Sequence, residues 1–406
     1  MRGLAALVAE LSPAEVPLVP LGSVAEYAGT RVDGTSLTAD TYTGVDNLLA
    51  DKRGRTTATY GANTDRVTEY RPGDLLLGNI RPYLKKVWLS DRAGGCSGDV
   101  LAVRLNAGAQ GKVLPEYLYY VLSSDSFFAY NTKHAKGGKM PRGDKEAILA
   151  FPVPLPPVAV QATVVKVLDK FRSLHVLLEG ELEARRRQYS HYANLLLASG
   201  KEVPRARMGD LATIVRGASP RPIQAFICSA QNGVPWIKIG DVPAAGKYVT
   251  STAQHVTAAG AAKSRRVRPG DFVLSNSMSF GRPYISKIDG YIHDGWLAIS
   301  DFGASFDPDY LYYLLRSAPI QNEFARRAGA GTVKNLNADI VKSIQLPVPT
   351  REQQSQVVAL LNRFDVLVND PDFGLPAEMA ARRQQFEYYR DKLLAFPGRA
   401  DKESAS

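Results

Sequence analysis

The chain has 406 residues, 45% of them hydrophobic and 22% charged, and a formal net charge of +10. That length accommodates two or three domains with cores of their own. No apolar run approaches the roughly 18–20 residues of a membrane-crossing helix, and two cysteines, Cys96 and Cys228, supply neither a disulfide framework nor a zinc site. The positive charge calls for an anionic partner, nucleic acid being the commonest, and a cytoplasmic protein is expected.

Leu4–Leu11 is a short apolar opening without the charged start or cleavage site of a signal peptide. Residues 1–152 then mix short β-like runs with turns. Leu75–Leu77 and Asp99–Leu105 read as strands, and Asp91–Gly95 as a turn. An amphipathic helix is expected around Pro115–Tyr120. Residues 153–200 change character. Val164, Leu168, Phe171, His175, Leu178, Leu182, Arg185, Tyr189, Tyr192 and Leu196 alternate spacings of four and three, a heptad seam. Pro156-Pro157 gives it a start, and Gly180 is its expected weak point.

Residues 201–346 read as a second domain, with strands at Val234–Ile239, Phe272–Leu274 and Trp296–Ile299 and a helix around Pro308–Tyr313. A second helical segment, 347–396, repeats the seam with Val357, Leu361, Phe364 and Val368. It breaks at Asn369–Pro376, where two prolines and a glycine forbid continuous helix, and resumes with Met379, Phe386, Tyr389 and Leu393. Residues 397–406 read as a flexible tail. The sheet-and-helix mixture is α/β or α+β.

The chain thus says the same thing twice. RPGD at 71–74 returns at 268–271, an offset of 197 residues, and Arg185–Ala198 matches Arg382–Ala395 at the same offset. RPY at 81–83 returns at 282–284, and Pro115–Tyr120 returns as Pro308–Tyr313. So long a period means two copies of a domain with its connector, not a solenoid. The two seams have matching periods, so the economical arrangement pairs them as an antiparallel coiled coil; packing of each helix on its own domain is the alternative. Leu4–Leu11 resembles the end of the first helical segment. The chain therefore starts where a second rod would end, and a pseudo-twofold, circular organisation follows.

Familiar catalytic patterns are missing from the sequence. It contains no G-x-x-x-x-G-K-[ST], no H-E-x-x-H and no C-x-x-C, and its five histidines are scattered. Basic residues instead gather in segments that read as loops, with glycines that let a backbone approach a phosphate and Arg or Asn that can read base edges. In the first domain the candidates are Lys52, Arg53, Arg55, Asn79, Arg81, Tyr83, Lys136, Lys139 and Arg142. In the second they are Arg216, Arg221, Arg265, Arg266, Asn276, Ser277, Arg282, Thr332, Lys334 and Asn335. Asn79–Arg81 and Asn276–Arg282 stand at equivalent repeat positions in this reading. A coiled-coil protein scaffold, or an enzyme with an unfamiliar site, stays open at this point.

Leu155–Gln161 with Val164–Phe171, Val348–Gln354 with Val357–Phe364, and Gly374–Met379 with Arg382–Leu394 resemble the conserved regions of the specificity (S) subunits of type I restriction-modification systems. The resemblance covers nearly the whole chain, except that the first helical segment lacks the Gly-Leu-Pro interruption. It implies a non-catalytic reader of double-stranded DNA. Each recognition domain would bind one half of an asymmetric, bipartite target, and the helices would set the spacing. The helices would also dock two adenine-methylating subunits carrying S-adenosylmethionine, with Phe171, Leu178, Tyr189, Tyr192, Phe364, Phe386 and Tyr389 as docking candidates. Two motor-nuclease subunits carrying ATP and magnesium would complete the complex. The chain itself would hold no cofactor or metal.

Overall fold

A computed structural model describes residues 16–198, 203–242, 246–276, 280–328 and 335–396. The chain divides into two compact units, Met1–Glu179 with Met379–Ser406, and Gly180–Glu378. The Leu4–Leu11 stretch and the tail lie outside the described residues.

Each unit is built on a sheet buried on both faces, antiparallel throughout in the first and, in the second, antiparallel apart from the edge pair of Tyr248 with Ile285. In the first, Leu75–Gly78 is the third strand of the order 25–27, 100–105, 75–78, 87–89. Leu75 and Leu77 point to a helical layer with Leu101 and Val103, whereas Leu76 points to a second sheet with Val100, Ala102 and Tyr70. An uninterrupted leucine run is what a strand covered on both sides requires. The second unit repeats this with Phe272–Ser275 and Trp296–Ser300: Phe272, Leu274, Leu297 and Ile299 face helices, while Val273, Trp296 and Ala298 face the other sheet. In both units the second sheet contains one parallel pair, Tyr42 with Gly95 and Trp236 with Tyr291. Antiparallel pairs otherwise dominate, so the domains are α+β.

The helices form where expected, at Pro115–Leu122 and Pro308–Arg316. Their starts differ. Asp307 caps the second by accepting from the amides of Asp309 and Tyr310, whereas Leu114 offers the first no side-chain cap. The turn expected at Asp91–Gly95 is shorter than that, because Gly94–Cys96 is a strand. Gly94 lies against the Thr41 carbonyl, where a Cβ would collide, so this glycine marks close backbone approach, not a turn.

Val158–Ala198 is one helix of 41 residues, about 60 Å long. It runs through Gly180 without a break, and nothing lies within 4 Å of the Cβ that an alanine would add there. Its first half belongs to the first unit, where Val164 and Leu168 enter the core and Phe171 stacks on Tyr389 at 5.6 Å. Its second half belongs to the second unit, where Tyr192 stacks on Phe364 at 6.5 Å. Arg351–Asn369 begins behind a capping box of Thr350 and Gln353, and Leu375–Leu394 resumes after the Asp370–Gly374 break. Within each unit one helix leaves the domain and the other returns to it, which is antiparallel pairing. Pairing and packing on the domain, alternatives in the sequence, coexist.

The seam itself drifts. Val164 and Leu168 are fully buried, but near the helix end Leu197 is buried and the seam residue Leu196 only partly. An ideal helix turns about 20° per heptad away from a strict 3.5 repeat. Between Val164 and Leu196 that amounts to roughly 90°, close to the 100° separating neighbouring residues, so burial moves on by one position.

Candidate nucleic-acid interface

Three basic loops of the first unit meet. Strand 75–78 ends in Asn79, whose amide donates to Asp99 O and whose carbonyl accepts from Gly143 N at 3.0 Å. Arg81 N donates to Pro141 O at 2.7 Å, and Lys136 and Arg142 exchange backbone bonds, so segments 79–81 and 136–143 run together. On the other side Asp51 N donates to Leu84 O and Lys52 N to Lys85 O, both at 2.9 Å. Asp51, Lys52, Arg81 and Lys85 all have left-handed backbones, with φ of 56°, 62°, 53° and 52°. Each such non-glycine residue costs on the order of 1 kcal/mol, and such strain persists where the surroundings over-determine it.

The side chains sort into two groups. Arg53, Lys136, Lys139 and Arg142 are exposed and Tyr83 is 50% exposed. Lys136 pairs with Asp144, and Arg142 with Asp99 at 3.0 Å. These are surface pairs of the kind a phosphate can replace at small cost. The others turn inward. Arg55 donates to Thr43 Oγ1 and to the carbonyls of Ala39, Asp40 and Tyr42, and lies 5.4 Å over Trp88. Asn79 is buried, Arg81 is half-buried and Lys52 is 11% exposed. Lys52 and Arg55 are thereby tied into the loops they belong to.

Lys52 belongs to a cluster that sequence reasoning missed. Asp125 accepts from Lys52 at 3.1 Å, Lys85 at 2.6 Å and Arg390 at 3.0 Å. Arg390, 1% exposed, also donates to Ser123 O at 3.2 Å and pairs with Asp391, and Glu387 lies 3.7 Å from Lys52. Burial pushes the Asp125 carboxyl up, but hydrogen bonds from Lys85 and Lys52 and the charges of Lys52 and Arg390 prevail, holding it well below the usual carboxylate range. Burial, with Arg390 nearby, lowers the Lys52 ammonium.

The second unit has the same frame and different loops. Asn276 is buried like Asn79; its amide donates to Gly295 O at 3.0 Å and its carbonyl accepts from Leu336 N at 2.8 Å. Its side chain donates to Asp294 O at 2.7 Å, as does Arg216 at 3.2 Å, so Asn276 is structural and Arg216 is anchored beside it. Arg221, Arg282 and Asn335 are exposed. Arg265 and Arg266 lie on the outer strand Arg265–Val267, not in a loop, and Arg266 is closed by Asp289. Ser277, Thr332 and Lys334 lie outside the described residues. The two RPY tripeptides are not equivalent. Leu77 pairs with Val87 and Leu274 with Pro283, so Arg282 takes the register of Lys86 while Arg81 sits inside its loop. Pairing register, not tripeptide identity, defines equivalence.

The docking candidates are largely occupied by one another. Phe171 contacts Phe386 and Tyr389, and Tyr189 packs on the second core; Leu178 is half-buried. An open apolar groove of about 440 Å³ remains in the second unit, lined by Tyr192, Leu195, Leu196, Leu360 and Phe364. Among the described residues no group of His, Cys, Asp or Glu could hold a metal ion, and no helix is long and apolar enough to cross a membrane.

Known proteins resemble this chain in sequence and in fold. Residues 201–370 match the model of the type I restriction modification DNA specificity domain. The specificity subunit of the Escherichia coli type I restriction enzyme EcoR124I/EcoR124II is 28% identical over 305 residues, covering 70% of this chain and 72% of that protein. The specificity subunit of the Methanocaldococcus jannaschii type I enzyme MjaVIII is 23% identical over 316 residues, 70% of this chain and 72% of that one. Among solved structures, a chain from work on complex assembly and conformational transition of the type I R-M system superposes with a TM-score of 0.70 at 20% identity, over 94% of this chain and 98% of that one. The HsdS subunit of Thermoanaerobacter tengcongensis shares the fold with a TM-score of 0.51 at 20% identity, over 94% and 97%. Residues 201–370 thus match the type I restriction modification DNA specificity domain, and the chain as a whole is similar in sequence and fold to the specificity (S) subunits of type I restriction-modification systems.

Proposed function

We propose that each unit reads one half of an asymmetric, bipartite DNA sequence and that the paired helices fix the separation of the halves. The reading rests on one observation above all: the same domain-to-helix frame occurs twice, carrying loops that differ. A repeated frame with unlike readers suits a target with two unlike parts. In the first unit Arg53, Tyr83, Lys136, Lys139 and Arg142 are the contacts offered to DNA; in the second, Arg216, Arg221, Arg282 and Asn335 are. Ser277, Thr332 and Lys334 are proposed with them from the sequence.

The chain would be the non-catalytic member of its complex. Two adenine methyltransferase subunits would dock on the helices and supply S-adenosylmethionine, the groove around Tyr192 and Phe364 being one apolar surface open to them. Two motor-nuclease subunits would bring ATP and magnesium for cleavage. Base-resolution mapping of adenine methylation tests the reading, in cells carrying this chain and its methyltransferase against cells with the methyltransferase alone. A gapped two-part motif that depends on this chain is expected. Absence of any chain-dependent motif, with both proteins folded, would return the chain to a scaffold or an enzyme of another kind.

A further inference from the structure

Most of the backbone strain of the described chain sits in one place. Four of the five non-glycine residues with positive φ are Asp51, Lys52, Arg81 and Lys85; the fifth is Asp301. Two of these four, Lys52 and Lys85, send their ammonium groups to the same carboxylate, Asp125. That carboxylate is held from below by Arg390, on the returning helix Leu375–Leu394. Arg390 is buried and its guanidinium is fully committed, to Ser123 O, Asp125 and Asp391, with Phe386 5.9 Å beneath it. The cluster balances three cations, Lys52, Lys85 and Arg390, against Asp125, Glu387 and Asp391. Removing one partner would strand buried charge, which costs far more than a surface pair.

We propose that Arg390 is a positioning residue for DNA recognition by the first unit. Through Asp125 it pins Lys52 and Lys85 and thereby holds loops 48–55 and 79–86 in their strained, reading-competent conformations. The inference rests on the first unit being a DNA reader. It is confined to that unit. The repeat offsets place Ala318 where Asp125 stands and Ala193 where Arg390 stands, and the second unit joins helix and domain there by a different bond, Ala318 N to Asn194 Oδ1 at 3.1 Å. Of its non-glycine residues only Asp301 has a positive φ among those described, and it lies outside the equivalent loop. The helices on which partners dock would thus be wired to one set of reading loops and not to the other.

The test uses the whole chain with its methyltransferase and maps methylation for Arg390→Gln and Asp125→Asn. One half of the gapped motif is expected to tolerate wrong bases about tenfold more than in the parent, the scale of a lost charge-assisted bond, while the other half keeps its discrimination. The relaxed half should be the one that also changes in Tyr83→Ala, which alters a first-unit loop directly. If Arg390→Gln does not accumulate, Asp125→Asn decides, being isosteric at a half-exposed site. A purely structural role would lower methylation everywhere without changing which bases are tolerated, and that outcome overturns the proposal. So does an unchanged motif at unchanged rates. A parent complex without any gapped motif would instead remove the underlying view of the unit as a reader.

Discussion

The joints by which the two units hold their helices are copies of one another, whereas the loops those joints support are not. In the first unit Gln161, fully buried, accepts from Leu114 N at 2.9 Å and donates to Lys112 O and Pro156 O. In the second, Gln354, also fully buried, accepts from Asp307 N at 2.7 Å and donates to Ser305 O and Pro349 O. Tyr120 donates to Asp169 and Tyr313 to Asn362, both at 2.6 Å. Asp74 and Asp271 each cap their RPGD turn by accepting from the arginine amide. Against this sameness, the first unit binds its loops with an ionic cluster and the second with backbone acceptors such as Asp294 O. The frame is therefore conserved within the molecule by geometry, since only one side chain of the right length can satisfy three backbone groups at once. The loops diverge because each unit closes them with its own set of contacts.

The largest effect should come from breaking a joint. Gln161→Ala leaves Leu114 N, Lys112 O and Pro156 O without their partner, and Gln354→Ala does the same in the second unit. Each substitution is expected to remove at least about 3 kcal/mol of stability, since three groups lose their partner and unpaired buried polar groups cost about 1–3 kcal/mol apiece, the low end applying to the part-buried ones. Urea unfolding of the two variants measures this. Comparable losses support equivalent joints; a silent Gln354→Ala beside a damaging Gln161→Ala would break the comparison at its base.

A smaller, pH-dependent effect should separate the units. His293 faces two amides, Ile239 N 3.3 Å from Nε2 and Gly295 N 2.7 Å from Nδ1, and the neutral ring, with one acceptor nitrogen, accepts from one of them. Burial lowers its pKa; Asp294 and Asp241 oppose that shift and Lys238 adds to it. Protonation would turn that acceptor into a donor facing an N–H group. With the folded pKa below the unfolded value of about 6.5, the unfolded state binds the proton more readily. Stability is therefore fully present above pH 6.5 or so and declines as pH falls below it. The parallel strand pairs relate Gly95 to Tyr291, which puts Ser97 at this position in the first unit, a residue that does not titrate. Asp125 does not add to the loss in that range, because its depressed pKa keeps the cluster charged until far more acid conditions. Chemical denaturation at pH 7.5 and 5.5 should show the decline in the parent and a flatter dependence in His293→Gln; equal slopes would remove His293 from the account.

These features were not equally legible in the sequence. Period and duplication were, because a heptad is a local pattern and a period of 197 leaves matched tetrapeptides. The one-residue drift from Leu196 to Leu197 was not, since a strict heptad predicts a supercoil that would keep Leu196 in the seam, whereas burial follows the period of a straight helix. Gln161 and Gln354 stood inside recognisable segments, but a glutamine's three backbone partners cannot be inferred from its neighbours. Basic loops were visible as charge. That Lys52 and Arg55 turn inward while Arg53 and Lys139 do not is decided by Asp125 and by the carbonyls of 39–42. The Asp125–Arg390 contact closes over 265 residues, so no window of sequence contains it.

The smallest expected effect involves no loss of stability and gives each unit a private reporter. Cys96 is buried in its strand, and burial, helped by the charge of Asp74, pushes its thiol up to about 12. Cys228 is only half-buried. At pH 8 a thiol at about 12 carries almost no thiolate, the reactive form, so Cys96 is both shielded and unreactive, whereas Cys228 can be reached by a reagent. A soluble disulfide reagent should therefore titrate one thiol quickly, and Cys228→Ser should abolish that fast phase while Cys96→Ser leaves it. In rising urea Cys96 can react only when strand Gly94–Cys96 opens, so its rate follows the unfolding of the first unit. Repeating that experiment with Gln161→Ala and Gln354→Ala then asks whether damage in one joint stays in its own unit. Acceleration at Cys96 by Gln161→Ala alone would mean that the copied joints act independently; acceleration by both would mean that the long helix carries strain from one joint to the other.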